Sequence, residues 1–239
     1  MAGSIVVLGA KNLGGAITEH FLSLGWRAAA VARSPESLER VRDLGALGLQ
    51  ANAAEPHELR AALETATGEL GGLDAVVNAV SASRASGGPF GGGPLADADL
   101  AAFRGWTVAV AEQAFVFLSE GARALRLSGG GGSLVQITGG SSRRAMPGRG
   151  LWAAGAFATR ALVQAAALEL REEHIHAALL AVDATIQSPK TAGFTAGRSP
   201  DSLADMGQIA GAVQFLVEQG ERAYTHDLTV TPAGENWVP

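Results

Sequence analysis

The chain has 239 residues, no Cys and a formal net charge of −5. The absence of Cys excludes a disulfide framework and Cys-ligated zinc, and the acidic balance argues against nucleic acid, whose phosphates need a basic face. Apolar residues make up 47% of the chain, enough for a large core, which excludes extensive disorder. The sequence shows neither an export signal nor a run of about 18 apolar residues. We therefore expect one cytoplasmic domain over residues 1–239, without a membrane span.

The predicted elements alternate between short apolar runs and longer segments with helical spacing. Strands are predicted at 4–9, 27–32, 46–51, 75–79, 133–138, 176–183 and 227–230. Helices are predicted at 14–24, 35–44, 56–70, 100–127, 151–173 and 203–219. Nearly continuous apolar strands indicate burial on both faces, as in parallel sheets. The pattern predicts an α/β fold, a Rossmann-type doubly wound parallel sheet of about seven strands in a three-layer α/β/α sandwich.

Two Gly-rich segments, 81–94 and 129–132, interrupt this alternation, and neither is predicted to form regular structure. The second is predicted to be a turn from a long helix into a strand. The first follows the fourth strand at its C-terminal end, where ligands bind in open α/β sheets. We expect it to form a mobile flap over a pocket.

A Gly-rich turn connects the first strand to the first helix. Such a turn presents backbone N–H groups and the positive end of a helix to a pyrophosphate. The segment predicts a dinucleotide site, and the alternative is a tight turn that only packs the helix on the strand. The candidate contacts in this turn are Gly9, Lys11, Asn12, Leu13 and Gly15.

The end of the second strand indicates which dinucleotide is bound. The chain reads Val31-Ala32-Arg33-Ser34 there, without the acidic residue that accepts a hydrogen bond from a ribose 2′-hydroxyl, which disfavours NAD(H). Arg33, with Lys11 from the first turn, can surround a 2′-phosphate. The sequence therefore predicts NADP(H) as cofactor, while the alternative for Arg33 is a solvent-exposed strand end.

Landmarks along nearly the whole chain resemble the short-chain dehydrogenase/reductase superfamily. After the Gly-rich turn, LDAVVNAVS at 73–81 parallels the LDVLVNNAG segment of that family, LVQITG at 134–139 parallels the strand that ends in the catalytic Ser, and DATIQSP at 183–189 parallels PGxIxTP. The resemblance implies cofactor contacts from Asn52, Asn78, Ile186 and Ser188. It also implies a homodimer or homotetramer.

The same resemblance fails at the catalytic residues. Family enzymes use Asn, Ser, Tyr and Lys, but the alignment places Gly139 at the Ser position, Trp152 at the Tyr position and Ala156 at the Lys position. The Asn position falls within residues 109–111, which are Ala, Val and Ala. The chain has one Tyr, Tyr224, and its two Lys residues lie at 11 and 190, so no shifted alignment restores the Tyr-Lys pair.

An indole N–H donates hydrogen bonds but is not a general acid near neutral pH. Loss of an acid-base group costs about 10²–10⁴ in rate, which disfavours ordinary carbonyl reduction by the family mechanism. The candidate catalytic residues among the groups expected near a bound nicotinamide are instead Ser141, Arg143, Trp152 and Lys190. Arg143, with Arg144, is a candidate for holding a substrate anion, and Lys190 for an acid, base or anchor. The alternative for each is a solvent-exposed residue.

The pair His174 and His176 lacks a third ligand nearby, so no metal site is predicted. The leading hypothesis is an NADP(H)-binding oxidoreductase that reduces a polarised C=C or C=N bond of a small molecule without a Tyr-Lys pair. The alternatives are a silent pseudoenzyme that binds nucleotide or a partner subunit, and a non-redox enzyme that reuses the pocket.

Overall fold

The computed structural model describes residues 3–81 and 88–235. Its strands are β1 Ser4–Leu8, β2 Arg27–Ala32, β3 Leu47–Gln50, β4 Ala75–Asn78, β5 Gly132–Gly139, β6 Ile175–Val182 and β7 Asp227–Val230. All seven strands are parallel and lie in the order β3-β2-β1-β4-β5-β6-β7. The predicted seven-stranded parallel sheet is confirmed. The chain order reverses between β1 and β4, and this switch point opens a crevice at the carboxyl ends of the strands.

Eight α-helices in the described residues cover the two faces of the sheet. They are α1 Asn12–Ser23, α2 Pro35–Asp43, α3 Pro56–Leu70, α4 Leu100–Phe103, α5 Ala109–Leu127, α6 Gly150–Glu169, α7 Ala192–Thr195 and α8 Met206–Val217. One apolar core lies between the sheet and α3, α5 and α6, and the other lies between the sheet and α1, α2 and α8. The predicted three-layer α/β/α sandwich is therefore confirmed.

Residues 100–127 are helical throughout, as predicted, but a π-helical turn at Arg104–Val108, which the sequence did not indicate, lies between α4 and α5. This turn lies against α6. A Cβ at Gly155 would lie 2.6 Å from the Trp106 carbonyl oxygen and 3.0 Å from that of Thr107. The widened backbone and a residue without a side chain thus let the two helices meet at this point.

The segment predicted as a flap is described only in part, since residues 82–87 lie outside the described residues. The rest is packed. Phe90–Gly92 forms a 3₁₀ turn, contrary to the expectation of no regular structure. With φ near 87° and 95°, Gly91 and Gly92 approach so closely that added Cβ atoms would lie 2.8 Å from side-chain atoms of Arg149 and Leu151. This half of the segment is anchored to the start of α6.

The second Gly-rich segment forms the predicted helix-to-strand turn. Gly129, Gly130 and Gly131 have positive φ values of 116°, 79° and 84°, and Gly132 begins β5. Among the described helices, one, α6, is long and apolar enough to cross a membrane by length and composition alone. It packs against α5 and β6 and buries Ala153, Ala156 and Val163, as core helices of globular domains do.

Candidate active site at the carboxyl ends of the strands

The turn from β1 to α1 has the backbone geometry of an anion site. Gly9 has a φ of 108°, and α1 begins after Lys11 with no side chain capping its first turn. A Cβ at Gly14 would lie 2.4 Å from the Gly9 carbonyl oxygen, and a Cβ at Gly15 would lie 2.9 Å from that of Ala10. The helix start therefore stays pressed against the strand end, and its N–H groups point into the crevice, which fits a pyrophosphate.

Leu13 stands where the family pattern has Gly, and its side chain turns away from the crevice. It is 8% exposed and belongs to the core formed by β1, α1 and α8. Asn12 has a φ of 48°, a left-handed conformation that Asn adopts more readily than most residues. The structure thus accommodates the departure by burying Leu13, while Gly14 provides the close contact between α1 and Gly9.

The residues predicted to choose between cofactors lie at the same edge of the sheet. Arg33 and Lys11 are both exposed, at the end of β2 and the start of α1. Asn52 follows β3, and its backbone N–H donates to Glu58 Oε2 at 2.8 Å, while its Oδ1 accepts from Ala54 N at 3.2 Å. The fold therefore brings these predicted contacts to one edge, next to the Gly-rich turn.

The carboxyl ends of β4 and β5 are joined by a buried amide pair that sequence reasoning missed. Asn78 Nδ2 donates to Gln136 Oε1 at 2.9 Å, and Asn78 Oδ1 accepts from Val80 N at 3.2 Å. Gln136 Nε2 donates in turn to the Ile137 carbonyl at 2.8 Å. Asn78 and Gln136 are 1% and 5% exposed. Because their side-chain bonds are satisfied within the sheet, both residues position the crevice floor.

The positions aligned with the catalytic Ser and Tyr fit each other as a packed pair. Trp152 lies in the first turn of α6, and a Cβ added at Gly139 would lie 3.3 Å from its Cζ2 atom. The indole therefore extends over the space that a Ser side chain would need. One turn along α6, Ala156 is fully buried, so only a methyl group occupies the position aligned with Lys.

Trp152 belongs to an aromatic cluster with Phe90 and Trp106. The Phe90 ring meets Trp152 at 4.9 Å and Trp106 at 5.3 Å, both edge to face, and the two indoles are 6.0 Å apart. The Arg149 guanidinium lies 5.4 Å from the Phe90 ring centre. A cavity of about 290 Å³ lies beside Trp106, between 88–94 and 97–106. The cluster gives this side of the crevice an apolar wall, and aromatic rings suit planar groups.

Arg143 and Arg144, predicted as an anion clamp, are instead engaged in ion pairs within the fold. Arg143 pairs with Asp227, the first residue of β7, and Arg160 of α6 pairs with the same carboxylate at 3.1 Å. Arg144 pairs with Asp183 at 2.9 Å. These carboxylates compensate the guanidinium charges, so the anion-clamp role has no support from the geometry. Ser141, the third candidate in this loop, is buried in a 3₁₀ turn directly after β5.

Asp183 is a buried carboxyl group at this edge of the sheet that sequence reasoning passed over. It follows β6, next to the end of β5, and is 8% exposed. Its carboxyl lies against Gly140, where a Cβ would be 1.9 Å from Oδ1. Burial raises the pKa of this carboxyl above its ordinary value, Arg144 opposes the rise, and Glu235 adds to it. The available signal was that an acid stands where the PGxIxTP segment of the family begins with Pro.

The segment after β6 carries the last predicted contacts. Ile186 forms an isolated bridge with Ala204, which ties this segment to the start of α8. Ser188 closes a capping box with Thr191, in which the Ser188 backbone N–H donates to Thr191 Oγ1 at 3.0 Å and the Ser188 side chain accepts from the Thr191 backbone N–H. Lys190 is exposed in the same 3₁₀ turn.

Tyr224, the one Tyr of the sequence, lies away from the crevice. Tyr224 stacks on His176 with ring centres 4.2 Å apart and lines a shallow cavity of about 550 Å³ at the amino ends of the strands. No Tyr-Lys pair is therefore assembled in the crevice from other parts of the described chain. Within 3–81 and 88–235, no group of three His, Asp or Glu side chains could hold a metal ion.

Residues 4–191 match the family model of short chain dehydrogenases. The chain belongs to this family. A search of curated protein sequences finds no match. Among solved structures, a variant of actinorhodin polyketide ketoreductase with NADPH is similar, with a TM-score of 0.82 at 19% identity, covering 99% of this chain and 98% of that one. Proteins of this family are generally oxidoreductases. The fold of this chain is similar to that of the ketoreductase.

Two further structures show the same fold. An alcohol dehydrogenase from Thermococcus sibiricus, complexed with 5-hydroxy-NADP, has a TM-score of 0.79 at 18% identity and covers 99% of this chain and 100% of that one. A short-chain dehydrogenase from Rhodopseudomonas palustris has a TM-score of 0.74 at 23% identity, covering 97% of this chain and 99% of that one. At these identities the likeness extends to the fold and not to the substrate.

Proposed function

We propose that this short-chain dehydrogenase is an NADP(H)-dependent reductase of a polarised double bond in a small molecule, working without the Tyr-Lys pair. The proposal rests on a contrast between the two ends of the crevice. The Gly-rich helix start keeps the backbone geometry for a pyrophosphate, while Gly139, Trp152 and Ala156 occupy the positions aligned with Ser, Tyr and Lys. NADP-bound relatives of the same fold favour the cofactor choice.

In this mechanism, NADPH supplies a hydride, and the side chains of the protein position the acceptor. The N–H groups at the start of α1 bind the pyrophosphate, and Arg33 binds the 2′-phosphate. Trp152 and Phe90 hold a planar substrate against the apolar wall and exclude water from the reacting bond. A C=C or C=N bond suits such a site because no phenol is needed to orient a carbonyl oxygen.

Titration with NADPH and NADH, followed by nicotinamide fluorescence, tests the cofactor half of this proposal. NADPH is expected to bind more tightly than NADH. Oxidation of NADPH is then measured with enones, cyclic imines and ketones, and turnover of the first two classes above the ketones is expected. Failure to bind either nucleotide would remove the proposal.

Arg33→Ala tests the phosphate contact directly. Hydrogen bonds to charged groups contribute about 1.5–3 kcal/mol, so affinity for NADPH should fall by about 10–100-fold while affinity for NADH stays the same. Arg40→Ala, an exposed Arg in α2, is the matched control and should change neither affinity. Equal losses for both nucleotides in Arg33→Ala contradict the assignment.

A silent nucleotide-binding protein is the second candidate, favoured by one observation. The Trp152 indole lies against Gly139 and packs on Phe90, so part of the space beside β5 is filled by the protein itself. This candidate predicts NADPH binding without oxidation by any acceptor in the panel. Turnover of one acceptor class excludes it.

A further inference from the structure

Two buried serines follow the end of β5, and they differ in whether the fold uses their hydroxyls. Ser141 and Ser142 lie in the same 3₁₀ turn and are 8% and 0% exposed. Ser142 Oγ donates to the Gly139 carbonyl oxygen at 2.9 Å. Among the described residues, the Ser141 hydroxyl has no hydrogen-bond partner, and it is not one of the side-chain atoms sealed from solvent. It therefore faces an opening in which it can bind a ligand.

The geometry of the turn indicates where that opening lies. Successive side chains of a 3₁₀ turn are about a third of a turn apart. The side-chain direction of Gly140 is filled by the Asp183 carboxyl on the β6 side, and Ser142 turns back to the end of β5. Ser141 takes the third direction. Because the turn packs against α6, whose first turn carries Trp152, the Ser141 hydroxyl lies between the strand end and the indole.

This position gives the apolar wall a hydrogen-bond donor. The position aligned with the catalytic Ser holds Gly139, and the positions aligned with Tyr and Lys hold Trp152 and Ala156, so none of the three brings a hydroxyl. Ser141 brings one, two residues beyond Gly139. A substrate that stacks on Trp152 and Phe90 would therefore find a donor for one polar atom at the end of β5.

The two side chains that flank this turn, Trp152 and Asp183, supply no proton. An indole is not an acid near neutral pH, and both carboxyl oxygens of Asp183 face the Arg144 guanidinium, at 3.2 and 2.9 Å, as those of an ion-paired carboxylate do. Hydride addition without a proton donor leaves a negative charge on the substrate. A conjugated carbonyl compound tolerates this charge because its enolate carries it on oxygen, whereas an isolated imine would carry it on nitrogen.

We infer that the substrate is a planar α,β-unsaturated carbonyl compound and that the Ser141 hydroxyl binds its carbonyl oxygen. The inference rests on the proposed function. The β-carbon receives the hydride of NADPH, the electron pair of the C=C bond forms the enolate double bond, and the carbonyl electron pair moves onto oxygen, where Ser141 donates a hydrogen bond. Water protonates the α-carbon when the product reaches solvent, which gives the saturated carbonyl compound and hydroxide. Ser141 keeps its own proton.

A chromophoric enal tests this contact without turnover. 4-(Dimethylamino)cinnamaldehyde is planar, and its absorption band moves to longer wavelength when its carbonyl oxygen accepts a hydrogen bond. With NADP⁺ present, which has no hydride to donate, the wild type should bind the probe with such a red shift. Ser141→Ala should show a clearly smaller shift. Ser141→Cys, whose thiol is a weaker donor, should give a shift between the two.

Oxidation of NADPH by the same enal measures the contribution to catalysis. Loss of one hydrogen-bond donor to a developing oxyanion costs about 10²–10³ in kcat, so Ser141→Ala should lower kcat by that factor while NADPH affinity stays the same. Ser133→Ala is the matched control. Ser133 is also a buried serine of β5, but it lies near the amino end of the strand, where its hydroxyl donates to the Val217 carbonyl oxygen. Its loss should leave kcat and the spectral shift unchanged.

Thermal unfolding without nucleotide separates a ligand contact from a structural one. Ser142→Ala removes a buried hydrogen bond and should lower the melting temperature. Ser141→Ala removes no hydrogen bond within the described fold and should leave the melting temperature unchanged. An equal loss of stability in the two variants would assign Ser141 a structural role and contradict the inference.

The outcomes separate this inference from the proposed function. If NADPH does not bind, the reductase falls and the inference falls with it. If NADPH binds but the enal does not, or if the enal shifts equally in the wild type and Ser141→Ala, the assignment of Ser141 alone is overturned. A red shift that depends on Ser141, without any oxidation of NADPH, supports the contact and overturns the reduction step.

Discussion

The two ends of the crevice depend on different parts of the polypeptide, one on the backbone and the other on side chains. At the β1–α1 end the requirement is on the backbone, and Gly14 and Gly15 meet it with Leu13 at the position where the family pattern has Gly. At the β5–α6 end the requirement is on side chains, and at the positions aligned with Ser, Tyr and Lys, Gly139 and Trp152 pack together and Ala156 is buried. The comparison indicates that a requirement on backbone N–H groups tolerates a change of side chain, whereas a requirement on functional groups does not.

Gly14→Ala tests the backbone requirement at the β1–α1 end, and we expect it to have the largest effect. The new Cβ would lie 2.4 Å from the Gly9 carbonyl oxygen, and backbone atoms cannot move aside as a flexible side chain can. We expect a loss of about 3 kcal/mol in the free energy of unfolding, with NADPH binding weakened as well. Thermal unfolding and nucleotide titration measure the two effects.

Gly68→Ala is the matched control, because a Cβ there meets nothing within 4 Å on the exposed side of α3. It should stabilise the protein by about 0.5–1 kcal/mol, as Ala does relative to Gly within a helix. If Gly14→Ala were equally harmless, the contact between α1 and Gly9 would not govern this end of the crevice.

Gly139→Ser tests the packing of side chains at the β5–α6 end of the crevice. The Cβ would lie 3.3 Å from the Trp152 ring, and the hydroxyl would crowd it further, so we expect a destabilisation of about 1–2 kcal/mol. Trp152→Tyr should relieve that crowding, and the double variant should be about 1 kcal/mol more stable than the sum of the single changes predicts. Strict additivity would mean that the two positions are independent.

The pH dependence of stability tests a third region of the molecule, at the amino ends of the strands, where neither end of the crevice contributes. Burial lowers the pKa of His176, which contacts the carbonyl oxygens of Leu216 and Thr225 at 3.0 Å each. The unfolded chain then binds more protons than the folded one, so stability should fall as pH drops below about 6.5. Thermal unfolding between pH 8 and 5 measures this slope.

His176→Asn should flatten that slope, whereas His57→Asn, an exposed residue of α3, should leave it unchanged. A wild-type slope that persists in His176→Asn would assign the acid sensitivity to another group.

The elements that the sequence predicted well are those whose pattern is local. Apolar runs placed all seven strands within one or two residues, and the Gly-rich turn was placed correctly at the start of α1. The features that the sequence did not predict occur where distant segments meet. The π-helical turn at Arg104–Val108 faces Gly155, and no periodicity in 100–127 indicates that α6 will pack there.

The charged residues at the candidate site are a second example of long-range contacts that the sequence pattern does not predict. Arg143 meets Asp227 across 84 residues, and Arg144 meets Asp183 across 39. Side-chain chemistry alone favoured an anion clamp for these Arg residues, because their partners are brought close only by the sheet order β5-β6-β7. Phe90 and Trp106 were overlooked for the same reason, since aromatic residues in separate segments give no sign that they will surround Trp152.

The fit between Gly139 and the Trp152 indole couples the choice of residue at the two positions. A Cβ at 139 would lie 3.3 Å from the indole Cζ2 atom, so the ring has to shift by a few tenths of an ångström to accept a side chain there. Any redesign of this end of the crevice therefore has to vary the two positions together.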